Sequence, residues 1–278
     1  MMTLSSPHVH TQYCDGKSPA EETVKTALAL GFVSLGFSSH ARQDFDLAYA
    51  MDAAKEQAYI LEIRALQTKY AGRIRIWLGM ERDARALSGR EPYDYVIGSA
   101  HYLPGADGEM VAVDGPKEAV CRLVDSVYAG DGLAYAEAYY EMLGQYISAY
   151  RPDIIGHFDL IMKNNRAGEL FDPAHPRALR AAQRAMEAAL SGCALMEVNT
   201  GAIARSGAQA PYPSLPLLTA WKELGGQVIL ASDCHDARQL NTGYAQGVRL
   251  IKQAGFREAL VLGRGGALFE RCAVPETE

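Results

Sequence analysis

The sequence predicts an α/β barrel, with parallel strands alternating with helices around a curled sheet. Three observations carry this reading. Seven short runs rich in Val, Ile and Leu, centred on Val9, Leu35, Trp77, Val96, Ile155, Glu197 and Ile229, alternate with helical patterns, as parallel strands joined by crossover helices do. Polar residues close at least six of the seven runs. The length of 278 residues suits one large domain, residues 1–278, better than two small ones. An open doubly wound sheet is the competing topology. It gathers ligands mainly at one switch point, whereas a barrel turns every strand end toward one mouth. The spread of polar strand ends favours the barrel, and seven strands make it irregular.

The helices follow in order. Ser18-Pro19-Ala20-Glu21 reads as an N-cap, a proline at the first helical position and an acid at the third, with a stop near Gly31. Residues 50–70 are periodic, with Ile60, Ile63 and Leu66 on one face. Residues 119–129 and 133–150 form two helices split at Gly130-Asp131-Gly132. An alanine-rich helix spans 176–190, and helices over 214–224 and 243–254 complete the set. Residues 201–216 read as a loop over the mouth.

Hydrophobic residues make up 49% of the chain, enough for a sizeable core, and 27 basic against 33 acidic residues leave a net charge of −6. No basic stretch suggests a nucleic-acid footprint. No apolar run approaches the roughly 20 residues of a membrane span, and the start M-M-T-L-S-S-P lacks the features of a signal peptide. The five cysteines are scattered, with no C-x-x-C pair. They form no disulfide framework, and a cytoplasmic protein is the simple inference. Cys14 and Cys234 are expected to line the mouth rather than bind there. The oligomeric state is left open.

Six of the seven histidines close a strand: His8, His10, His40, His101, His157 and His235. His175, in D-P-A-H-P, marks a helix start. Imidazole is a good ligand for zinc, manganese and iron. In H-V-H, His8 and His10 point to the same side of a strand, and Asp233 and His235 share a side in S-D-C-H. Glu81 follows a continuously apolar strand and emerges near the mouth, where carboxylates must balance cation charge and where one glutamate can bridge two ions. Asp83 points the same way by parity. Asp15 lies five residues after His10 in an Asp-Gly pair, which is also a turn signal. The residues thus point to a multi-metal hydrolase.

At this point the chain resembles the PHP (polymerase and histidinol phosphatase) superfamily, and within it the histidinol-phosphatase branch. The likeness rests on H-V-H-T with C-D-G downstream, L-G-F-S-S-H, L-G-M-E-R-D, Y-D-Y-V-I-G-S-A-H-Y, D-I-I-G-H-F-D-L-I, M-E-V-N-T-G-A-I-A-R with P-Y-P-S, and A-S-D-C-H. The resemblance implies a distorted (βα)7 TIM-like barrel holding three divalent ions (Zn, Mn or Fe) at the C-terminal ends of the strands. Carried over by position, His8, His10, Glu81 and Asp233 hold the first ion, and Asp15, His40 and His235 the second. Glu81, His101 and His157 hold the third, with Glu81 as the bridge. Some members place a histidine where Asp15 stands, so this second site is harder and more anionic.

Clustered divalent ions lower the pKa of bound water from about 15.7 toward 7 and clamp phosphoryl oxygens. The expected reaction is hydrolysis of a phosphate monoester by a metal-bound hydroxide, with Glu81, Asp233 and Arg205 as catalytic residues. No G-x-S-x-G nucleophile motif is present. The net negative chain does not attract phosphate at long range, so local cations must hold it. Arg205 is the leading candidate, followed by Arg42, Lys163 and Arg166. Asn199 is a candidate to orient substrate or a histidine. Asp44, Asp46 and Asp114 are either turn residues or partners for an imidazole or amine. The family resemblance names L-histidinol phosphate as substrate, within histidine biosynthesis. Another small monoester or a nucleotide is the second reading, and a non-catalytic metal-binding accessory module the third.

Overall fold

The computed structural model describes residues 2–275. In chain order the elements are β1 (Ser5–Ser6), α1 (Ala20–Ala29), β2 (Ser34–Phe37), α2 (Ala53–Lys69), β3 (Arg75–Asp83), β4 (Tyr95–Ser99), β5 (Tyr102–Pro104) and β6 (Met110–Ala112). There follow α3 (Lys117–Tyr128), α4 (Gly132–Tyr150), β7 (Ile154–Ile155), α5 (Pro176–Leu190), β8 (Leu195–Asn199), α6 (Gly201–Ser206), α7 (Leu215–Glu223), β9 (Gln227–Ala231), α8 (Tyr244–Gln253), β10 (Glu258–Leu262) and β11 (Phe269–Ala273).

One nine-stranded sheet runs β1-β2-β3-β4-β7-β8-β9-β10-β11. Every neighbouring pair is parallel except β10–β11. The sheet curls until the β1 segment meets the segment that follows β9. Val9 forms a parallel bridge with Cys234, in which His10 N donates to Cys234 O at 2.9 Å. Below it, Ser6 Oγ and Ser232 Oγ lie 2.8 Å apart, and Leu262 N donates to Ser5 Oγ at 3.2 Å. The result is an α/β fold around a curled parallel sheet. β5 and β6 form a separate antiparallel hairpin.

Inside the curl the strands are buried, and one aromatic ring fills much of the space. A Cβ added at Gly36 or Gly79 would run into the Tyr95 side chain. The Tyr95 hydroxyl donates to Pro7 O on the far side. Two neighbouring strands therefore carry glycine so that a ring from a third can cross the interior, in keeping with a barrel packed by its own side chains.

The sequence pattern and the structure differ in four places. The spacing predicts seven strands; the sheet adds β10 and β11 beyond them, and the β5–β6 hairpin lies apart. The first run centres on Val9, but its ladder pairing is confined to Ser5–Ser6, with Val9 contributing one bridge. The N-cap of α1 is Pro19, not Ser18; Ser18 Oγ instead accepts from Ala237 N at 3.0 Å. The expected loop over 201–216 contains the short helix α6. Elsewhere the helices fall within a few residues of their expected bounds. α2 is capped by Asp52, which accepts from Lys55 N at 2.8 Å, and buries Tyr59, Ile63 and Leu66, with Ile60 only partly covered. Each such burial stabilises by about 1.5–3 kcal/mol. His175 caps α5, its ring accepting from Arg177 N, as D-P-A-H-P suggests. Among the described residues no helix is long and apolar enough to cross a membrane.

Candidate metal centre

The strand ends deliver eight side chains, and a turn delivers Asp15, to one cluster. Glu81, on β3, stands at its middle and is 1% exposed. Its Oε2 faces His8 Nε2 at 3.1 Å, His40 Nδ1 at 2.9 Å and His10 Nε2 at 3.5 Å. Its Oε1 faces His157 Nε2 at 2.9 Å and His101 Nε2 at 3.4 Å, and accepts from Ser99 Oγ at 2.6 Å. One carboxylate thus touches five imidazoles, split between its two oxygens. His40 reaches it through a parallel bridge between His40 and Glu81 themselves.

Asp15 and Asp233 complete the charge. Asp15 Oδ2 lies 3.1 Å from His235 Nε2, and its Oδ1 3.5 Å from His40 Nε2. Asp233 Oδ1 lies 3.2 Å from His10 Nε2 and 3.5 Å from His235 Nδ1. Asp233 sits at φ 47°, a left-handed conformation uncommon outside glycine and favoured there by short polar side chains. Such outliers concentrate at functional sites.

Burial and charge act against each other here. For Glu81, Asp15 and Asp233 burial favours the neutral acid, but the surrounding imidazoles, and for Asp233 first of all Arg205, hold each carboxyl well below its usual range. Burial lowers His10 and His40, His10 further through its neighbours His235 and His40. Burial also opposes charge on His8, but Glu197, Glu81 and Asp233 outweigh it and raise the pKa. For His101 the same contest, with Glu81 and Asp83 opposing burial, ends at about 9.

The donor set fits divalent cations. Glu81 Oε2 and Asp15 Oδ1 are buried in the cluster without a hydrogen-bond partner, which is costly unless a cation or another partner satisfies them. His8 Nε2 and His10 Nε2 lie 3.1 Å apart, as do His101 Nε2 and His157 Nε2; ring nitrogens pack this closely when they converge on a shared point. Ligand atoms of His10, Asp15, His40 and His235 lie within 4.8 Å of one another, as do those of His8, His10 and Asp233, and those of His40, Glu81 and His101. His10 and His40 each belong to two of these groups. That differs from the resemblance, which assigns each of them to one ion.

The expected phosphate-binding residues fare unevenly. Arg205, on α6, joins the cluster: Nη1 donates to Asp233 Oδ1 and Nη2 to Asp233 Oδ2, each at 2.8 Å. Arg42 does not; its Nε lies 3.3 Å from Glu56 Oε2 on α2, because the chain after His40 turns outward. Lys163 follows β7, but its Nζ is paired with Asp114 Oδ2 at 2.9 Å, so its charge is already committed. Arg166 is exposed and donates to Ser206 at the end of α6, outside the cluster. Asn199 is fully buried, with both ends of its amide in use: Nδ2 donates to Glu197 Oε1 and Asp233 Oδ2, and Oδ1 accepts from Gly201 N. Its amide is committed to protein groups. Asp46 accepts from the Tyr102 hydroxyl at 2.9 Å.

Other residues complete the site, and of these only Tyr49 is not singled out by the sequence. Tyr49 stacks on His40 with ring centroids 3.7 Å apart; it lies in an irregular stretch with no pattern to mark it. Asp83, which parity turns toward the mouth, accepts from His101 N at 2.7 Å and so supports a histidine. Cys14 Sγ lies 3.4 Å from His10 Nδ1. Burial pushes the Cys14 and Cys234 thiols up to about 11 and about 12, so both stay protonated at neutral pH and line the site.

A curled parallel sheet with a His/Asp/Glu cluster at its strand ends is the architecture of a metal-centre α/β protein, and the PHP domain model matches residues 6–201. The chain belongs to the PHP domain family. The "Probable histidinol-phosphatase" of Deinococcus radiodurans is 32% identical over 268 residues, covering 92% of this chain and 96% of that protein. The fold is shared with the hisK structure from Listeria monocytogenes, at a TM-score of 0.76 and 21% identity over 87% of this chain and 99% of that one. It is also shared with histidinol phosphate phosphatase from Lactococcus lactis, whose structure is a complex with zinc, L-histidinol and phosphate. There the TM-score is 0.66 and the identity 22%, over 94% of this chain and 97% of that one.

Proposed function

We propose that the chain is a metal-dependent phosphomonoesterase that hydrolyses L-histidinol phosphate to L-histidinol and phosphate. The observation that carries this reading is the convergence of five imidazoles on the two oxygens of buried Glu81. Histidinol-phosphatase relatives that match along nearly the whole chain support the substrate. We read residues 1–278 as one domain, a distorted (βα)7 barrel. Its ring is β1, β2, β3, β4, β7, β8 and β9, closed by the Val9–Cys234 bridge, with β10 and β11 added outside.

His8, His10, Asp15, His40, Glu81, His101, His157, Asp233 and His235 would hold the divalent ions, three in number and of zinc, manganese or iron. Bound divalent ions supply Lewis acidity to water and to phosphoryl oxygen. The chain's own residues do the rest. Glu81 and Asp233 keep negative charge among the imidazoles. Burial excludes bulk water from the cluster and so strengthens every charge interaction there. Arg205, one-third exposed at 34%, places a planar cation at the rim, where it suits the oxygens of a phosphate ester. The low net charge and the absence of a basic stretch argue against a nucleic-acid substrate.

The test is phosphate release by the metal-loaded protein from L-histidinol phosphate, compared with p-nitrophenyl phosphate and a nucleotide panel at equal concentration. A kcat/KM for histidinol phosphate far above the others is the expected result. Comparable, slow rates on all of them would overturn the assigned substrate and leave a phosphoesterase acting on another small monoester.

A further inference from the structure

Glu197 lies on β8 and is fully buried. It belongs to none of the groups whose atoms converge as ligands. Its Oε2 accepts from His8 Nδ1 at 2.8 Å. Its Oε1 accepts from two donors, His157 N at 2.8 Å and Asn199 Nδ2 at 2.7 Å. Asn199 Nδ2 also donates to Asp233 Oδ2 at 3.1 Å. Directly and through Asn199, this carboxylate ties β8 to the segments following β1, β7 and β9, all behind the cluster.

We propose that Glu197 is a positioning residue that sets the tautomer of His8 and fixes the placement of His157, so that both rings present lone pairs to divalent cations. This rests on the reading that the cluster holds such ions. A carboxylate only accepts hydrogen bonds, so His8 Nδ1 carries the proton. His8 Nε2 is then the nitrogen left to bind a cation, which would displace any proton there, and it is the atom that faces Glu81 Oε2 and His10 Nε2. The proton on the far nitrogen of a metal-binding histidine is commonly held in this way, and the partner that holds it tunes the site.

The geometry makes an unusual demand on the isosteric variant. In Glu197→Gln the amide has one oxygen and one NH2 group. The Oε1 position faces two N–H donors, His157 N and Asn199 Nδ2, so the amide oxygen must take that position. The NH2 group must then face His8 Nδ1, which has to accept. That moves the His8 proton to Nε2, where it blocks the nitrogen that faces the cluster. Glu197→Gln thus keeps the shape and imposes the wrong tautomer. Glu197→Ala removes the acceptor but leaves His8 free to adopt either tautomer.

The experiment is zinc binding to metal-free protein, measured by competition with a chromophoric chelator, alongside the melting temperature of each metal-free protein. Wild-type protein is expected to bind zinc, and Glu197→Gln to bind it about 10–100-fold more weakly, with its metal-free melting temperature close to wild type. Glu197→Ala is expected to lose affinity too, but less than Glu197→Gln. Zinc affinity in Glu197→Gln equal to wild type, or restored relative to Glu197→Ala, would mean that Glu197 only supports the fold, and would overturn the proposal. Wild-type protein that binds no zinc, manganese or iron would instead overturn the metal reading itself.

Discussion

Arg205 grips Asp233 with both arms of its guanidinium, Nη1 on Oδ1 and Nη2 on Oδ2, each at 2.8 Å. The same Nη1 lies 2.7 Å from His235 Nδ1. A bidentate fork of this kind fixes direction as well as charge, and it joins the rim of the cluster to its most strained residue. Lysine cannot reproduce it. Arg205→Lys is therefore expected to lower kcat/KM on phosphate monoesters by about 10-fold, and Arg205→Ala by about 100-fold or more, the scale of losing one stabilising donor. Steady-state kinetics on the two variants checks this. Wild-type rates in Arg205→Ala would remove the residue from the reaction.

Glu81 offers the sharper test of the centre. Outer groups of a metal site typically carry 10–100-fold effects, so loss of charge on the central carboxylate is expected to lower kcat by at least about 100-fold in Glu81→Gln. The amide keeps an acceptor for Ser99 Oγ but removes the charge that offsets His8 and His101, so the metal-free variant is expected to melt somewhat below wild type while still folding. A variant that unfolds readily yet retains kcat per folded molecule would show that Glu81 serves structure only.

Removal of metal should abolish activity and lower stability together. Exhaustive chelation is expected to eliminate phosphate release, and Mn, Zn, Co or Fe(II) to restore it. An ion at 100 times its Kd stabilises by about 2.7 kcal/mol, which for a chain of this size is a rise of roughly 5–10 °C in Tm. Scanning calorimetry before and after loading reads this. Full activity in stripped protein would sink the metal mechanism.

Gly201 separates function from stability. It opens α6 directly beneath Asp233, and a Cβ there would stand 2.7 Å from Asp233 Oδ2 and 2.9 Å from its Cγ. Alanine favours a helix over glycine by up to about 1 kcal/mol, so Gly201→Ala gains locally while pushing the carboxylate aside. The expected outcome is a metal affinity lower by about tenfold with the Tm of the metal-free protein held or raised. Unchanged zinc binding would show that Asp233 can shift at no cost.

Eight of the nine cluster residues are legible in the sequence because each lies at the end of a buried run, and period-two side-chain alternation places His8 with His10 and Asp233 with His235; Asp15 stands in a turn, where its Asp-Gly pair reads equally well as a turn signal. What escapes reading depends on partners far away in the chain. The Glu197 carboxylate sits in the middle of an apolar run, and its role shows only once His8 and His157 are seen around it. Arg42 follows a histidine by two residues, yet Glu56 on α2 draws it outward. The helix α6 has six residues, too few for helical periodicity to show and too few to persist without tertiary support. β10 and β11 are five residues each. β10 joins the edge that β9 presents, a partner far from it in the chain, and β11 folds back on β10 as a hairpin.

The Val9–Cys234 bridge has a consequence for how the chain is made. The two seams it joins are separated by 226 residues between Ser6 and Ser232. At the roughly 5–20 residues per second of protein synthesis, His8 and His10 are translated roughly 10–45 s before Asp233 and His235. Throughout that interval the H-V-H segment has no carboxylate from the far seam to meet. The centre therefore cannot be complete until all but the last 43 residues of the chain have been made.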